Sequence, residues 1–330
     1  MEHHEIVIIG GGPAGLALAL ELHRLGLKDV VVLERESEVG GVPRHCGHIG
    51  FGIDDKNRFL TGPKFAIKLR ELARGLDIRT GTTVLEFTLR GTMRLHSSSG
   101  ISEMSATRIV LATGTRESSR AARLIGGNRL PGVMNTGTFQ KLVYLKHQKP
   151  FSNPVIIGSE WVSFSNLLTC RHAKIKPACM ITESAKLDAP SYFGLGAKLV
   201  FGVPVKRNTK LLSINGHEKI ESVEVETNGH REAIACDGVI VSGKFIPELS
   251  LLSSSSVIPA PTPVIPAQAG TQLLQNSNVA ELDSRLRGND GLSRKASITI
   301  IGNANGKLNT AGRCMIEARA TAALIASDLK

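Results

Sequence analysis

The sequence predicts an α/β protein with two successive strand–helix–strand units, and three observations indicate this class. Short β-rich runs at 6–9 and 30–33 flank a helical apolar pattern at 16–25. The same order of strand, helix and strand recurs from residue 154. The chain has 330 residues, 42% of them hydrophobic, which exceeds one ordinary domain and is enough for sizeable cores.

The composition argues against several classes of function. The net charge of +11 comes without a block of five or six basic residues, which is typical of a solvated basic surface. Aromatic residues make up only 4% of the chain, so a nucleic-acid platform built on base stacking is not expected. The five cysteines form no C-x-x-C pair, which argues against a metal site, an iron–sulfur run and a dithiol centre. With no apolar run of about 18 residues and no cationic leader, we expect a cytoplasmic protein with no transmembrane segment.

The strongest motif is a glycine-rich turn between the first strand and the first helix. Residues 10–15 read GGGPAG, and Glu34 follows the second strand nineteen residues after Gly15. Gly10 allows the tight turn, Gly12 lets a pyrophosphate approach the backbone, and Gly15 allows close packing of helix on strand. The helix N-terminus offers free N–H groups and partial positive charge to the phosphates, and Glu34 can accept both ribose hydroxyls. The pattern predicts a Rossmann-like dinucleotide-binding domain, although by itself it does not separate NAD from FAD.

Later segments add glycine-rich turns that follow predicted strands. Gly41 opens a glycine-rich stretch that runs to residue 52, and the strand at 108–112 ends in Thr113 and Gly114. A final strand at 297–301 precedes a helix from about residue 311. The tail therefore places one more strand and one more helix N-terminus at the far end of the chain.

With these segments the sequence resembles the FAD-dependent pyridine nucleotide-disulfide oxidoreductases, the two-dinucleotide flavoprotein family that includes thioredoxin reductase. Within that family it is most similar to the flavin subunits of hydrogen cyanide synthase, opine oxidase and related amine dehydrogenases. Beyond the N-terminal motif, the matching segments are PRHCGHIGFG at 43–52, LATGTRE at 111–117, RLPGVMNTGTFQKLV at 129–143, IIGSEWVSFSNLLTCRHAKIKP at 156–177, CDGVIVSGKFIPE at 236–248 and TAGRCMIEARA at 310–320.

The resemblance implies two Rossmann-like domains and FAD as the cofactor. The FAD domain would be discontinuous, at 1–115 and 296–330, with an NAD(P)-binding-like domain at 116–252 nested within it. The resemblance implies that the diphosphate contacts Gly10, Gly12, Pro13, Ala14 and Gly15, and that the ribose contacts Glu34. Gly41, Thr113 and Gly114 would lie elsewhere along the cofactor. Gly302 and Asn303 would lie beside the ribityl chain and flavin phosphates, and Ala311 at a helix N-terminus that is aimed at the flavin. Many relatives carry Asp where this chain has Asn303, so the contact there loses a charge.

His45 and His48 are the candidate catalytic residues, because the resemblance implies that their loop runs beside the flavin ring. An imidazole there could deprotonate an ammonium group before hydride loss. The alternative is that both histidines hydrogen-bond the flavin or the loop backbone. A cluster of four arginines between 116 and 129 is expected to be a solvated connector or a docking surface for an acidic substrate or subunit.

The second strand–helix–strand unit carries an altered glycine motif. Its three motif positions read Gly158, Glu160 and Ser163. A carboxylate thus stands where a pyrophosphate should approach, and burying a charge costs several kcal/mol unless it is neutralised. We expect this domain to keep the fold without binding NAD(P); the alternative is a tolerated variant with displaced phosphates.

Residues 253–295 break the α/β pattern. Four serines precede four prolines that lie between 259 and 266, and closely spaced prolines preclude helix and central strand. The stretch is predicted to be an extended or disordered insert, and it resembles the translated product of a dispersed bacterial DNA repeat. A regulatory or docking loop is the alternative.

The resemblance implies a flavin subunit of an amine or amino-acid dehydrogenase or oxidase complex. Such a protein takes electrons from a small-molecule amine or amino acid and passes them to another subunit or to the respiratory chain. Two alternatives stay open at this point: an NAD(P)H-dependent flavin reductase and a degenerate, non-catalytic flavoprotein subunit.

Overall fold

The computed structural model describes residues 1–52, 59–254 and 296–329, which group into two compact units. Unit 1 consists of Met1–Arg44, Ile49–Arg116 and Ile246–Lys330, and unit 2 consists of His45–His48 and Glu117–Phe245. Of the predicted insert at 253–295, only residues 253 and 254 are described, at the end of a short helix. The rest of that prediction lies outside the described residues.

Unit 1 is built on a largely parallel sheet. The strands of this sheet are β1 (Glu2–Ile9), β2 (Val30–Leu33), β5 (Asp77–Arg79), β6 (Thr83–Phe87), β7 (Thr92–Ser97), β8 (Gly100–Leu111) and β20 (Ser297–Ile300), whereas β3 (Ile49–Phe51) and β4 (Leu60–Thr61) pair with each other in a separate two-stranded sheet. The parallel strands lie in the order β5-β2-β1-β8, with β20 against the second half of β8. The first half of β8 pairs antiparallel with β7, and β7 pairs with β6. Its helices are α1 (Pro13–Arg24), α2 (Gly62–Leu72), α6 (Ser250–Ser254) and α7 (Ala311–Asp328).

The local sequence explains the central elements of unit 1. All four residues of β2 and the last four of β1 are buried, as expected for parallel strands covered on both faces. Helix α1 begins at Pro13, which suits the first helical turn, and is followed by Gly26 with φ +95°. Helices α1 and α7 share one core on one face of the sheet, and β6, β7 and β8 contribute to a second core.

Unit 2 contains a five-stranded parallel sheet and a smaller, mainly antiparallel one. Its strands are β10 (Gly126–Gly127), β11 (Val133–Asn135), β12 (Pro154–Ile157), β13 (Cys179–Ile181), β14 (Val205–Lys206), β15 (Thr209–Gly216), β16 (Ile220–Thr227), β17 (His230–Ala235) and β18 (Gly238–Val241). The parallel sheet has the order β11-β18-β12-β13-β14, and the smaller sheet β10-β15-β16-β17. The helices are α3 (Thr136–Lys146), α4 (Trp161–His172) and α5 (Tyr192–Phe201).

Strands β9 (Thr115–Glu117) and β19 (Phe245–Pro247) connect the two units and pair with each other. The chain leaves unit 1 through β9 and returns through β19, so unit 2 is inserted within unit 1. The predicted α/β fold with two successive parallel-sheet units is confirmed.

Candidate functional site

The predicted cofactor residues of unit 1 follow the carboxyl ends of four neighbouring parallel strands. Gly10 comes after β1, Glu34 after β2, Thr113 shortly after β8 and Gly302 shortly after β20. These strand ends meet at one edge of the sheet, which is where open α/β sheets bind their ligands. The fold therefore brings together residues that lie as far as 292 positions apart in the sequence.

The glycine turn after β1 combines a close-packed backbone with an open face. Gly10 has φ +115°, and a Cβ there would lie 2.5 Å from the Ala112 carbonyl oxygen. A Cβ at Gly15 would collide with the Gly10 carbonyl oxygen. At Gly12, in contrast, the one neighbour that a Cβ would meet is the Gly41 Cα, at 4.0 Å. Gly12 is therefore not required by internal packing, and the space beside it is available to a ligand.

The start of α1 supplies hydrogen-bond donors to that space. Gly12 is the N-cap residue, Pro13 and Ala14 begin the helix, and no side chain caps the first turn or places an acid in it. Helix N-termini of this kind bind anions through free N–H groups and the helix dipole. Gly41 has φ +61°, and a Cβ there would lie 3.0 Å from the Gly12 Cα. Backbone atoms thus form both sides of the turn.

Glu34 is held firmly at the end of β2. Its side chain is buried, with 7% of the residue exposed. One carboxylate oxygen, Oε2, accepts the Gly11 N–H at 2.9 Å, and Oε1 accepts the Glu36 N–H at 2.9 Å. Each oxygen keeps a lone pair for a further donor, so the carboxylate can accept ribose hydroxyls without leaving its position.

Gly11 is a required residue that the sequence pattern did not identify, because it is a variable position of the motif. A Cβ on Gly11 would lie 2.6 Å from Val39 Cγ1 and 3.1 Å from Glu34 Oε2. The run of three glycines was the available signal. Gly11 lets the turn approach the Glu34 carboxylate closely enough to donate to it.

Thr113 and Gly114 hold the chain that returns to unit 1. The Thr113 hydroxyl donates to the Glu248 carbonyl oxygen at 2.5 Å, and the Glu248 N–H donates to the Gly114 carbonyl oxygen at 2.9 Å. Gly114 has φ +72°. The hydroxyl of Thr113 is therefore engaged within the protein, and a cofactor contact here would involve the backbone.

In the loop after β20, the asparagine side chain at position 303 makes hydrogen bonds that an aspartate could not make in full. Gly302 has φ +62°, and a Cβ there would lie 2.8 Å from the Ala14 Cβ, so this loop abuts the start of α1. The Asn303 side chain binds one backbone residue twice: Oδ1 accepts the Asn309 N–H at 2.7 Å, and Nδ2 donates to the Asn309 carbonyl at 3.2 Å. An aspartate would keep the first bond and place an oxygen against the carbonyl.

Helix α7 follows β20 as α1 follows β1, so its first turn begins at the same edge of the sheet. Ala311 is its first residue, and the Thr310 hydroxyl caps it by accepting the Arg313 N–H at 3.3 Å. The positive end of an 18-residue helix is thus available at this edge.

The segment with the two candidate histidines groups with unit 2. His45 ends a short 3-10 helix, and both His45 and His48 are half-buried. Between them, Cys46 is buried, and its Sγ donates to Gln140 Oε1 at 3.3 Å. Helix α3 therefore anchors this loop, and a role beside a flavin stays a prediction.

The altered motif of unit 2 lies at the matching turn between β12 and α4. Gly158 follows β12, Glu160 is the N-cap residue of α4, and Ser163 lies in the first turn of the helix. The Glu160 carboxylate folds back into the turn, where Oε2 accepts the Ser163 hydroxyl at 3.0 Å.

Residues 4–164 match the pyridine nucleotide-disulphide oxidoreductase family. Over just under half of its length, the chain is similar to this family. Among curated proteins, this oxidoreductase is 29% identical to hydrogen cyanide synthase subunit HcnB of Pseudomonas aeruginosa over 243 residues, 66% of the chain and 50% of HcnB. It is 22% identical to an opine oxidase subunit of Rhizobium meliloti over 341 residues, 92% of the chain and 59% of that relative. The chain thus spans little more than half the length of these relatives.

Solved structures share the fold of this oxidoreductase. Thioredoxin reductase of T. acidophilum matches with a TM-score of 0.72 at 18% identity, over 99% of both chains. L-proline dehydrogenase from P. horikoshii matches with a TM-score of 0.67 at 18% identity, over 99% of this chain and 56% of that one.

The family match indicates FAD as the dinucleotide of this oxidoreductase, and the edge of unit 1 fits it. The face of Gly12 is open, the first turn of α1 carries no side-chain cap, and Glu34 has lone pairs to spare. A diphosphate, which needs N–H donors and close backbone approach, and a ribose, which needs an acceptor, both find suitable groups here.

The cysteines of this oxidoreductase are unsuited to disulphide exchange. All five lie among the described residues, buried and without a disulfide. Burial raises the pKa of Cys46 and Cys170 to about 12, and that of Cys179, Cys236 and Cys314 to about 11. Because the thiolate is the nucleophile, these thiols are nearly inert at neutral pH.

Two of the four connector arginines are bound within the protein. The Arg120 guanidinium donates to the backbone carbonyls of residues 125–128, and Arg123 donates to the Gly243 carbonyl. Both side chains therefore stabilise the loop, although three of the four Arg120 hydrogen bonds lie at the exposed surface and leave its guanidinium in contact with solvent.

Metal centres and membrane-spanning helices are both absent from the described residues, 1–52, 59–254 and 296–329. These residues include no cluster of three or more His, Cys, Asp or Glu side chains placed to hold a metal ion. Within the same ranges, no helix combines the length and the apolar character that crossing a membrane requires.

Proposed function

We propose that this oxidoreductase is the flavin subunit of an amine or amino-acid dehydrogenase or oxidase complex. The curated relatives include subunits of hydrogen cyanide synthase, sarcosine oxidase and opine oxidase. Their names support both a nitrogen-bearing substrate and a multi-subunit assembly. The partner subunits and the electron acceptor belong to the proposal as well.

The observation that carries this proposal is the contrast between the glycine turn of unit 1 and the corresponding turn of unit 2. In unit 1 the turn at Gly12 is open, whereas in unit 2 the corresponding turn contains the Glu160 carboxylate. The buried thiols provide no reactive thiolate at neutral pH. On this proposal, a flavin in unit 1 has neither a nicotinamide donor nor a dithiol acceptor within the chain, and an organic substrate is the source of its electrons.

Bound FAD would supply the acceptor for a hydride equivalent from the carbon that bears the amine, which leaves an imine. The first turn of α1 would hold the diphosphate, and Glu34 would hold the ribose. The N-terminus of α7 offers a positive dipole end that stabilises negative charge. His45 and His48 stay the candidates for accepting a proton from the substrate ammonium, a role for which neutral imidazole is suited. The alternative is that both histidines hydrogen-bond the flavin or the loop backbone.

The test is a screen of substrates with the FAD-loaded full chain, purified with its native partners and kept anaerobic. We expect an amine or amino acid to bleach the visible flavin absorbance, and NADH and NADPH to leave it unchanged. Rapid bleaching by NADH would instead identify an NAD(P)H-dependent flavin reductase. A folded protein that takes up no FAD would identify a degenerate subunit.

A further inference from the structure

The two units contain the same turn, which allows one to be compared with the other inside a single chain. Gly10 follows β1 with φ +115°, and Gly158 follows β12 with φ +127°. The Gly10 N–H donates to the Leu33 carbonyl at 2.8 Å, and the Gly158 N–H donates to the Ile181 carbonyl at 2.9 Å. Unit 2 therefore retains the backbone frame that a diphosphate needs.

The two turns differ at the middle position. The space beside Gly12 is open, whereas the Glu160 side chain folds into its own turn. Its Oε1 accepts the Lys244 N–H at 3.0 Å, and its Oε2 accepts the Ser159 N–H at 3.2 Å and the Ser163 hydroxyl at 3.0 Å. The carboxylate thus bridges the loops that follow β12 and β18, and it accepts from two backbone amides as a phosphate would.

The surroundings of the carboxylate are shaped to contain it. A Cβ on Gly243 would collide with the Glu160 carboxyl group, and a Cβ on Gly158 would lie 2.9 Å from Oε2. Arg123, which donates to the Gly243 carbonyl, interacts electrostatically with Glu160. The Oγ of Ser163, which is fully buried, also lies 3.0 Å from Ser242 Oγ; because its one proton goes to Glu160, Ser163 accepts the Ser242 proton there. Two glycines, a cation and a buried hydroxyl therefore accommodate the charge.

We propose that Glu160 is a built-in anion that occupies the pyrophosphate position of unit 2, and that this residue determines the exclusion of nucleotides. A ligand phosphate would have to displace the carboxylate from its amide donors and would be repelled by its charge. The inference deepens the proposed function, since it names the residue that denies the flavin a nicotinamide donor.

The variant that tests the proposal is E160G, which restores the glycine of the motif. Glycine is tolerated at an N-cap, so the variant should fold. E160Q keeps the volume of the side chain, and E218G is the matched control, because Glu218 is exposed in the turn between β15 and β16 of the same unit.

The assay is isothermal titration of inorganic pyrophosphate, and then of ADP, into the FAD-saturated full chain. The flavin spectrum is recorded alongside, so that displacement of FAD from unit 1 is recognised. We expect E160G to bind at least about tenfold more tightly than the wild type. E160Q, which lacks the charge but still fills the turn, should bind with intermediate affinity, and E218G should behave as the wild type does.

Two results would overturn the proposal. One is a folded E160G, with an unchanged flavin spectrum and melting curve, that binds no more tightly than the wild type. The other is an E160Q that binds no more tightly than the wild type, since the negative charge of Glu160 would then contribute nothing to the exclusion. If E160G fails to fold, E160S, which carries a favoured N-cap residue, takes its place. Failure to oxidise amines would not alter these titrations.

Discussion

Replacing Glu34 by glutamine tests whether its buried carboxylate organises the edge of the unit 1 sheet where FAD is expected to bind. In the native protein its two oxygens accept N–H groups from Gly11 and Glu36, each at 2.9 Å. Glutamine has almost the same volume, but either orientation of its amide turns an NH₂ group toward one of these donors. One buried N–H then loses a charge-assisted partner.

The size of the effect follows from these contacts. Loss of one hydrogen bond to a charged, buried acceptor costs about 1.5–3 kcal/mol, so E34Q should lower the free energy of unfolding of the apoprotein by about that amount. A ribose hydroxyl loses its anionic acceptor as well, which weakens FAD binding by about ten- to hundredfold. Urea unfolding followed by circular dichroism, and titration of flavin fluorescence, measure the two effects.

The matched control is E38Q, because Glu38 is half exposed in the same loop and pairs with Arg70 at the surface, at 2.9 Å. Surface ion pairs contribute about 0–1 kcal/mol, so E38Q should lie close to the wild type in both assays. An E34Q protein that unfolds and binds FAD as E38Q does would refute the reasoning.

Three further predictions concern the same unit. G12A should unfold as the wild type does yet bind FAD weakly, because the open face of Gly12 is available to the ligand. G10A must place alanine at φ +115°, so it should lose stability as well as FAD affinity. Equal unfolding curves for G10A and G12A would contradict this. N303D should speed hydrogen exchange at the backbone amides of the loop after residue 303, because one of the two side-chain hydrogen bonds to Asn309 is lost. Unchanged exchange rates would show that these bonds do not stabilise the loop. A hydrogen bond from Arg79 lowers the pKa of Glu2 to about 2, so its contribution to stability is present above pH 4.5 and is lost as the pH falls toward 2. Urea midpoints across this range should fall less in E2Q than in the wild type, and parallel curves would rule the contribution out.

The set of candidate residues at this edge of the unit 1 sheet could largely be predicted from the sequence, because the backbone conformations that they need are set locally. Gly10 is needed for its positive φ and Gly15 for its contact with the Gly10 carbonyl oxygen, both within one turn, and the acid after the second strand follows from the length of one strand–helix–strand unit. The meeting of Thr113 and Gly302 at that edge follows from the rule that parallel strands present their carboxyl ends together.

Contacts made by polar side chains with the backbone of their own loops could not be predicted in this way. Arg120 donates to the carbonyls of residues 125–128, although its sequence context is that of a solvated connector. Asn303 binds the backbone of Asn309 instead of standing free for a cofactor. In each case the partner is a backbone group whose position depends on how the loop closes.

The sequence by itself determined the class of fold and the conformation of the glycine turn in unit 1, since the burial of apolar runs and the conformational needs of such a turn involve near neighbours. Only the tertiary structure decided that the Glu160 carboxylate turns inward onto the amides of Ser159 and Lys244. It also decided that the His45–His48 segment groups with unit 2. The physical reason is that a polar or loop side chain takes the partner that folding brings within hydrogen-bond distance, and strands distant in sequence supply that partner.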